Sequence, residues 1–238
     1  MDKDLTEIIV ITDRSRSMEY VAEEAIEGFN VFLKEQQESK EGRCLLTYCQ
    51  FNEEYEIVHN GIPIEDMKPL TTETFVPSGF TALLDAMGRT IEEVGKRLAN
   101  TPEDRRPGNV IVVVITDGQE NKSTEFKYEQ IQKMVKHQAD KYDWSFIYLA
   151  QNIDAFRSGS LLGFDANHHK MFVGNMTKGK VGQSKAYYVA SQAVNSTRQK
   201  ATKGSNVAFD IMQKMTYTQG LADDDDSGED SDTPDPTL

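Results

Sequence analysis

The 238-residue sequence holds only two cysteines, Cys44 and Cys49. They fall five residues apart in the strand-like run CLLTYCQF, so they point to opposite faces and lie too far apart to bridge. That excludes a disulfide scaffold and leaves two reduced thiols acting as small apolar side chains. No apolar run approaches the length needed to span a bilayer. The acidic start MDKDLTE has neither the basic nor the apolar region of a signal peptide, so a cytoplasmic protein is the expectation. Basic residues are also short, with 26 Lys and Arg against 39 Asp and Glu, a formal charge of −13. This balance argues against nucleic acid and against anionic membranes as partners. Only four histidines occur, and none accompanies a G-x-S-x-G elbow or a reactive cysteine. His59 sits beside a turn, His137 on a helix, and His168 and His169 at the start of a strand, all read as structural. No nucleophile–base–orienter set is visible, and a non-enzymatic protein is the expectation.

What is present is an alternation of strands and helices. IIVIT (8–12) is a continuous apolar run, and Ala22, Ile26, Phe29 and Leu33 then mark one face of a helix over 20–38. RCLLTYCQF (43–51) is a second strand. YEIVHNGIPI (55–64) reads as a hairpin, because Asn60-Gly61 tolerates the positive φ of a type I′ turn. Leu84, Met87, Ile91, Val94 and Leu98 recur at spacings of three and four, which predicts an amphipathic helix over 82–99. NVIVVVIT (109–116) is the most hydrophobic run and must be a central strand. A third helix is expected over 124–141, with Ser123 or Thr124 as N-cap. WSFIYLA (144–150) and HKMFV (169–173) are further strands, Trp144 serving as packing. Residues 183–199 form another helix, and 205–219 are weakly helical.

Strands that are apolar throughout are buried on both faces, and helices separate most of them here. The expected fold is α/β: a three-layer, doubly wound, mostly parallel central sheet with one antiparallel edge strand or hairpin. One domain over 1–220 is expected, with a core of about 5–175 and a C-terminal helical extension over 183–219. The remainder, 221–238, carries eight acids after Ala222 and no Lys or Arg. Having almost no apolar residues to bury, it is expected to be a disordered acidic tail.

Oxygen donors collect where a ligand of such a sheet would bind, in the crevice beyond the carboxyl ends of the strands. Asp13-Arg14-Ser15-Arg16-Ser17 follows the first strand, Thr81 in SGFTALLDA opens the 82–99 helix, and Asp117 in ITDGQEN ends the central strand. Asp13, Ser15, Ser17, Thr81 and Asp117 therefore face one crevice as two carboxylates and three hydroxyls, with no His or Cys among them. Hard oxygens suit Mg²⁺, with Mn²⁺ or Ca²⁺ as alternatives, rather than Zn²⁺. Two carboxylates and neutral hydroxyls under-neutralise a dication, which favours a partner's carboxylate as the last ligand. The competing reading is purely local: Asp13 and the serines form a turn or cap the 20–38 helix.

D-x-S-x-S at 13–17, the Thr of G-x-T-A-L at 79–83 and T-D-G at 116–118 together resemble the metal-ion-dependent adhesion site of von Willebrand factor A domains. The order, the spacing and the strand–helix alternation from about 5 to 175 are similar to that family. DRSxSM…GFNxFL at 13–33 and NIDAF…LG at 152–163 resemble its small intracellular bacterial and phage members. Arg16 departs from the pattern, standing where the family usually has Gly, and must point to solvent or toward a ligand. The resemblance implies that Ser15, Ser17 and Thr81 touch the metal through their hydroxyls, while Asp13 and Asp117 hold it directly or through waters. It implies a metal-dependent adaptor that captures a partner's Asp or Glu, some such relatives acting beside AAA+ ATPases. The alternatives are a Mg²⁺-dependent, phosphoesterase-like hydrolase with Asp117 or Glu120 as base, or a structural interaction protein without functional metal. The acidic tail is either a solubilising or docking strip or an intramolecular competitor for the metal.

Two further motifs fall short. GNMTKGKV (174–181) nearly spells a P-loop, but Val181 stands where the Mg²⁺-binding hydroxyl belongs. DDDDSGEDSDTP resembles a calcium loop but has Pro234 at its twelfth position and no following helix.

Overall fold

The computed structural model describes residues 1–150, 159, 161–164, 170–175 and 179–203. Six strands form one sheet: β1 (Asp2–Asp13), β2 (Arg43–Phe51), β3 (Tyr55–Pro63), β4 (Pro107–Thr116), β5 (Ser145–Ala150) and β6 (Met171–Asn175). Their order across the sheet is β3-β2-β1-β4-β5-β6. All neighbours are parallel except β2 and β3. The expected α/β sheet with one antiparallel edge strand is therefore the observed one. Among the described residues, four longer helices cover it: α1 (Ala22–Glu38), α2 (Leu83–Asn100), α3 (Tyr128–Tyr142) and α4 (Lys180–Lys203).

Alternation along each strand builds the two cores. Ile8, Val10, Ile111, Val113 and Ile147 pack with Phe29, Phe32, Ala186 and Tyr187, from α1 and α4. Ile9, Ile11, Val112, Val114 and Phe146 pack with Leu83, Met87, Ile91, Ile131 and Val135, from α2 and α3. The sheet is thus buried on both faces, as the unbroken apolar run of β4 required. Cys44 and Cys49 are free and buried. Burial raises both thiols, to about 12 and about 11, so neither is a nucleophile near neutrality. Among the described residues no helix is long and apolar enough to cross a membrane.

Four local expectations need correction. Asn60-Gly61 is not a hairpin turn. The hairpin joins β2 to β3 through Asn52–Glu54, where Glu54 N–H donates to Asn52 Oδ1 at 2.7 Å. Asn60-Gly61 instead form a bulge within β3, where pairing shifts between Leu46↔Ile62 and Tyr48↔His59. Gly61 keeps the positive φ, +68°, and its N–H donates to Thr47 Oγ1 at 2.9 Å. The bulge admits Arg97 of α2. Its Nε donates to Asn60 Oδ1 at 2.7 Å, and its guanidinium pairs with Glu7, fully buried in β1. A Cβ on Gly61 would lie 2.9 Å from Arg97 Nη1. Gly61→Ala should therefore lower stability by about 1–3 kcal/mol, read as a lower urea midpoint at unchanged slope.

The third helix begins at Tyr128, not 124. Ser123 and Thr124 looked like N-caps but their groups bond to other elements, described below. Gln130 Oε1 instead accepts Lys127 N–H, at 2.9 Å, at the start of α3. The last strand starts at Met171, two residues after the expected start, and α4 runs longer than 183–199 at both ends. In the near-P-loop, Lys180 pairs with Glu24 at 2.7 Å, so its ammonium is committed to a carboxylate. His168, His169, residues 152–157, the 205–219 segment and the acidic tail lie outside the described residues.

Candidate metal centre

The strand order reverses direction between β1 and β4, so the crevice opens where these two strands end. Asp13 is the last residue of β1 and is fully buried. Its Oδ1 accepts Ser15 N–H at 2.7 Å, the local turn anticipated as the competing reading. Its Oδ2 reaches across to β4 and accepts the Thr116 hydroxyl at 2.6 Å. A purely local role therefore does not describe this carboxylate.

The other donors close around it. Ser15 and Ser17 hydroxyls lie 3.1 Å apart, and Ser17 Oγ donates to Asp117 Oδ1 at 2.7 Å. Gly118 shows how Thr81 joins them. A Cβ there would stand 2.9 Å from Thr81 Oγ1 and 3.4 Å from Asp13 Oδ2, so both oxygens line the hollow that glycine leaves. All five sequence-predicted residues thus come together. Arg16, at the variant position, turns outward with 78% of its side chain exposed and Glu19 at 3.9 Å.

The loops carrying these residues are bound to one another. Arg16 N–H donates to Gly79 O at 3.1 Å, and Ser78 N–H to Arg14 O at 2.8 Å. Thr81 O accepts the N–H groups of Asn121 and Lys122, at 3.0 and 3.2 Å, while Asn121 Oδ1 accepts Thr81 N–H at 3.0 Å. Glu120 accepts from Leu84 N–H, Lys122 N–H, Ser123 N–H and the Ser123 hydroxyl, all within 2.9 Å. Asp85, in the first turn of α2, accepts the N–H groups of Thr124, Glu125 and Phe126 at 2.8–2.9 Å. Glu120 therefore caps α2, and Asp85 returns the favour to the following loop. Asp85→Ala strips three donors of a charged acceptor. We expect it to cost about 2–4 kcal/mol and to speed hydrogen exchange over 118–127 more than elsewhere.

Sequence reasoning missed Thr116, Asp85 and Asn121 as supports, although T-D-G carried the first of these. Glu120 was read as a candidate base; its four donors make it a structural anchor. Glu53, on the β2–β3 turn, accepts Phe80 N–H at 2.5 Å. That backbone donor holds its carboxyl below the usual range.

Burial, then the charge of Asp117, pushes the Asp13 carboxyl up to about 7. Two carboxylates thus converge in a pocket of hydroxyls. No group of three or more His, Cys, Asp or Glu is placed to hold a metal among the described residues. The donor set here is two carboxylates with three hydroxyls, all hard oxygens, which fits a divalent cation that takes oxygen ligands.

No protein-family model matches the sequence, and no curated protein matches it. Solved structures do match. The vWF domain of the type V pili tip protein of Porphyromonas gingivalis aligns at TM-score 0.54 and 10% identity, over 80% of this chain and 95% of that one. The fold is that of a von Willebrand factor A domain. The PilB minor pilin of Streptococcus sanguinis aligns at TM-score 0.57 and 10% identity over 80% of this chain. This chain spans only 61% of that pilin. Proximal thread matrix protein 1 from the mussel byssus, with a zinc-occupied MIDAS motif, aligns at 0.53 and 15% identity, over 80% of this chain and 48% of that one. In this von Willebrand A-type fold the five oxygen donors sit at the end of the central strands β1 and β4.

Proposed function

We propose that this chain is a metal-dependent protein-binding module. The observation that carries the reading is the all-oxygen cluster, in which Asp13 stands buried beside Asp117 with its carboxyl raised to about 7. A divalent cation there, with Mg²⁺ preferred, supplies a Lewis-acidic point that accepts a carboxylate from outside. Asp13, Ser15, Ser17, Thr81 and Asp117 would hold it. Asp13 and Asp117 bring two negative charges and the hydroxyls none, so a dication keeps its appetite for one more acid. The exposed Ser17 lies on the open side, where a partner's Asp or Glu would arrive. The partner is a protein, and an AAA+ ATPase complex is one candidate. The mussel protein's occupied MIDAS motif supports a metal in this fold, though that protein holds zinc.

Pull-down from the native host in Mg²⁺, with and without chelator, tests the reading. The bound partner should elute with EDTA and should be missing when Ser15→Ala is the bait. Retention that ignores chelator would refute it. The hydrolase alternative needs Asp117 or Glu120 as a base near the metal; Glu120 is occupied by four donors, and Asp117 accepts the Ser17 hydroxyl. Turnover of a phosphate ester with Mg²⁺, lost in Asp117→Asn, would restore that alternative.

A further inference from the structure

The rim of the crevice carries features that the five oxygen donors do not explain. Phe80 precedes Thr81 and keeps 57% of its surface exposed. It is not loosely placed. Its N–H is held by Glu53, and Gly79 beside it has φ +73°, close enough to Glu53 that any Cβ would collide. Lys122 Nζ lies 5.2 Å from the Phe80 ring centroid, and its own N–H donates to Thr81 O. Arg16, between the two serines, is exposed beside Glu19 with its N–H donating to Gly79 O, and Tyr20 one turn later is 83% exposed. An aromatic face and two cations thus stand at the opening, Phe80 held by the Glu53 carboxylate, and Arg16 and Lys122 tied through their backbone N–H groups to Gly79 and Thr81. Rigid aromatics beside cations are the side chains that dominate recognition energetics when a partner covers them.

We propose that this rim selects a short acidic segment in which the metal-seeking Asp or Glu has a bulky apolar neighbour, seated on Phe80. The inference rests on the metal-dependent reading above and names the partner chemistry that it leaves open. Charge complementarity sets the rest. A further acid in the segment meets Lys122 or Arg16, whereas a basic segment is repelled by the cation and by both side chains. This chain's own 222–238 segment is rich in acid but has only Ala222 and Leu238 beside its prolines as apolar residues, so it lacks the neighbour that Phe80 would seat.

Short random peptides displayed on phage, panned on the full chain in millimolar Mg²⁺ and eluted with EDTA, read this out. The eluted pool should share an Asp or Glu with a large apolar residue within a position or two. Panning on Phe80→Ala should keep the acid and lose the apolar preference. The best peptide should bind that variant about tenfold more weakly or worse, while calorimetric Mn²⁺ affinity stays unchanged. Lys122→Glu should deplete the second acid. EDTA-eluted peptides with an acid but random flanks would overturn the proposal, as would equal affinity for Phe80→Ala. So would enrichment of purely acidic peptides, which would mark the tail's chemistry as the true ligand. A metal-dependent dimer abolished by Phe80→Ala, with no peptide preference, would assign the rim to a second copy and also overturn it. Binders that do not elute with EDTA, or no Mg²⁺-dependent enrichment, would instead bring down the metal reading on which it rests.

Discussion

Millimolar Mg²⁺ or Mn²⁺ should raise the melting temperature of this chain by several degrees, and Asp13→Ala should erase the gain. An ion held only by the folded state stabilises it by mass action, about 2.7 kcal/mol at a hundredfold excess over Kd. For a domain of this size that corresponds to roughly 5–11 °C. Asp13 is the right residue to remove because its buried carboxylate ties the two central strands together, through Ser15 N–H and the Thr116 hydroxyl. Thermal melts of both proteins in EDTA and in metal provide the comparison. The variant must still melt cooperatively in EDTA. A wild-type melt indifferent to both cations would remove the basis for a metal centre here.

The second large effect is on pH. The Asp13 carboxyl is raised from an ordinary 3.8 to about 7 by burial and by Asp117. The metal-free folded state therefore holds a proton that the unfolded chain releases between those values. A raised carboxyl destabilises the fold as pH climbs. Its contribution is most favourable below about 4, is lost progressively up to about 7, and is flat above. The rise from 3.8 to about 7 corresponds to roughly 4 kcal/mol. Metal binding runs the opposite way, because the proton and the ion compete for the same oxygens. Apparent metal affinity should fall about tenfold per pH unit below 7. Urea melts in EDTA at pH 5 and 7.5 should show wild type losing more stability at the higher pH than Asp13→Asn. Identical pH dependence in the two proteins would show that Asp13 keeps an ordinary carboxyl.

The sheet was legible because its signals are local. The apolar runs of β1 and β4 and the three-and-four spacing along α2 depend on near neighbours alone, and Leu84, Met87, Ile91, Val94 and Leu98 are all buried. The errors fall where one local signal serves two structures. A positive φ at Gly61 suits a type I′ turn and a bulge equally, and only Arg97, thirty-six residues on, decides between them. Ser123 beside an apolar period looks like a cap, but Ser123 Oγ meets Glu120 and Asp85 N–H. The five donor positions were readable because D-x-S-x-S, the Thr of G-x-T-A-L and T-D-G keep fixed spacing within each loop. The supports Asp85 and Asn121 were not, because their bonds run about forty residues along the chain and leave no pattern in it. The 221–238 boundary and the 205–219 helix fall among residues on which the structure bears no description.

The three loops of the centre are joined pairwise: 13–17 to 78–81, 78–85 to 120–126, and 13–17 to 116–117. In statics, three bars pinned at three joints form a truss, and a triangle cannot shear without a bar or a pin failing. A frame of this kind has its dimensions before any load is applied. An ion whose bond lengths matched such a frame would enter with little adjustment, and one that did not would have to stretch a joint. Any choice by size would then reside in the hydrogen bonds of Asp85, Asn121 and Arg16, none of which is among the five oxygen donors.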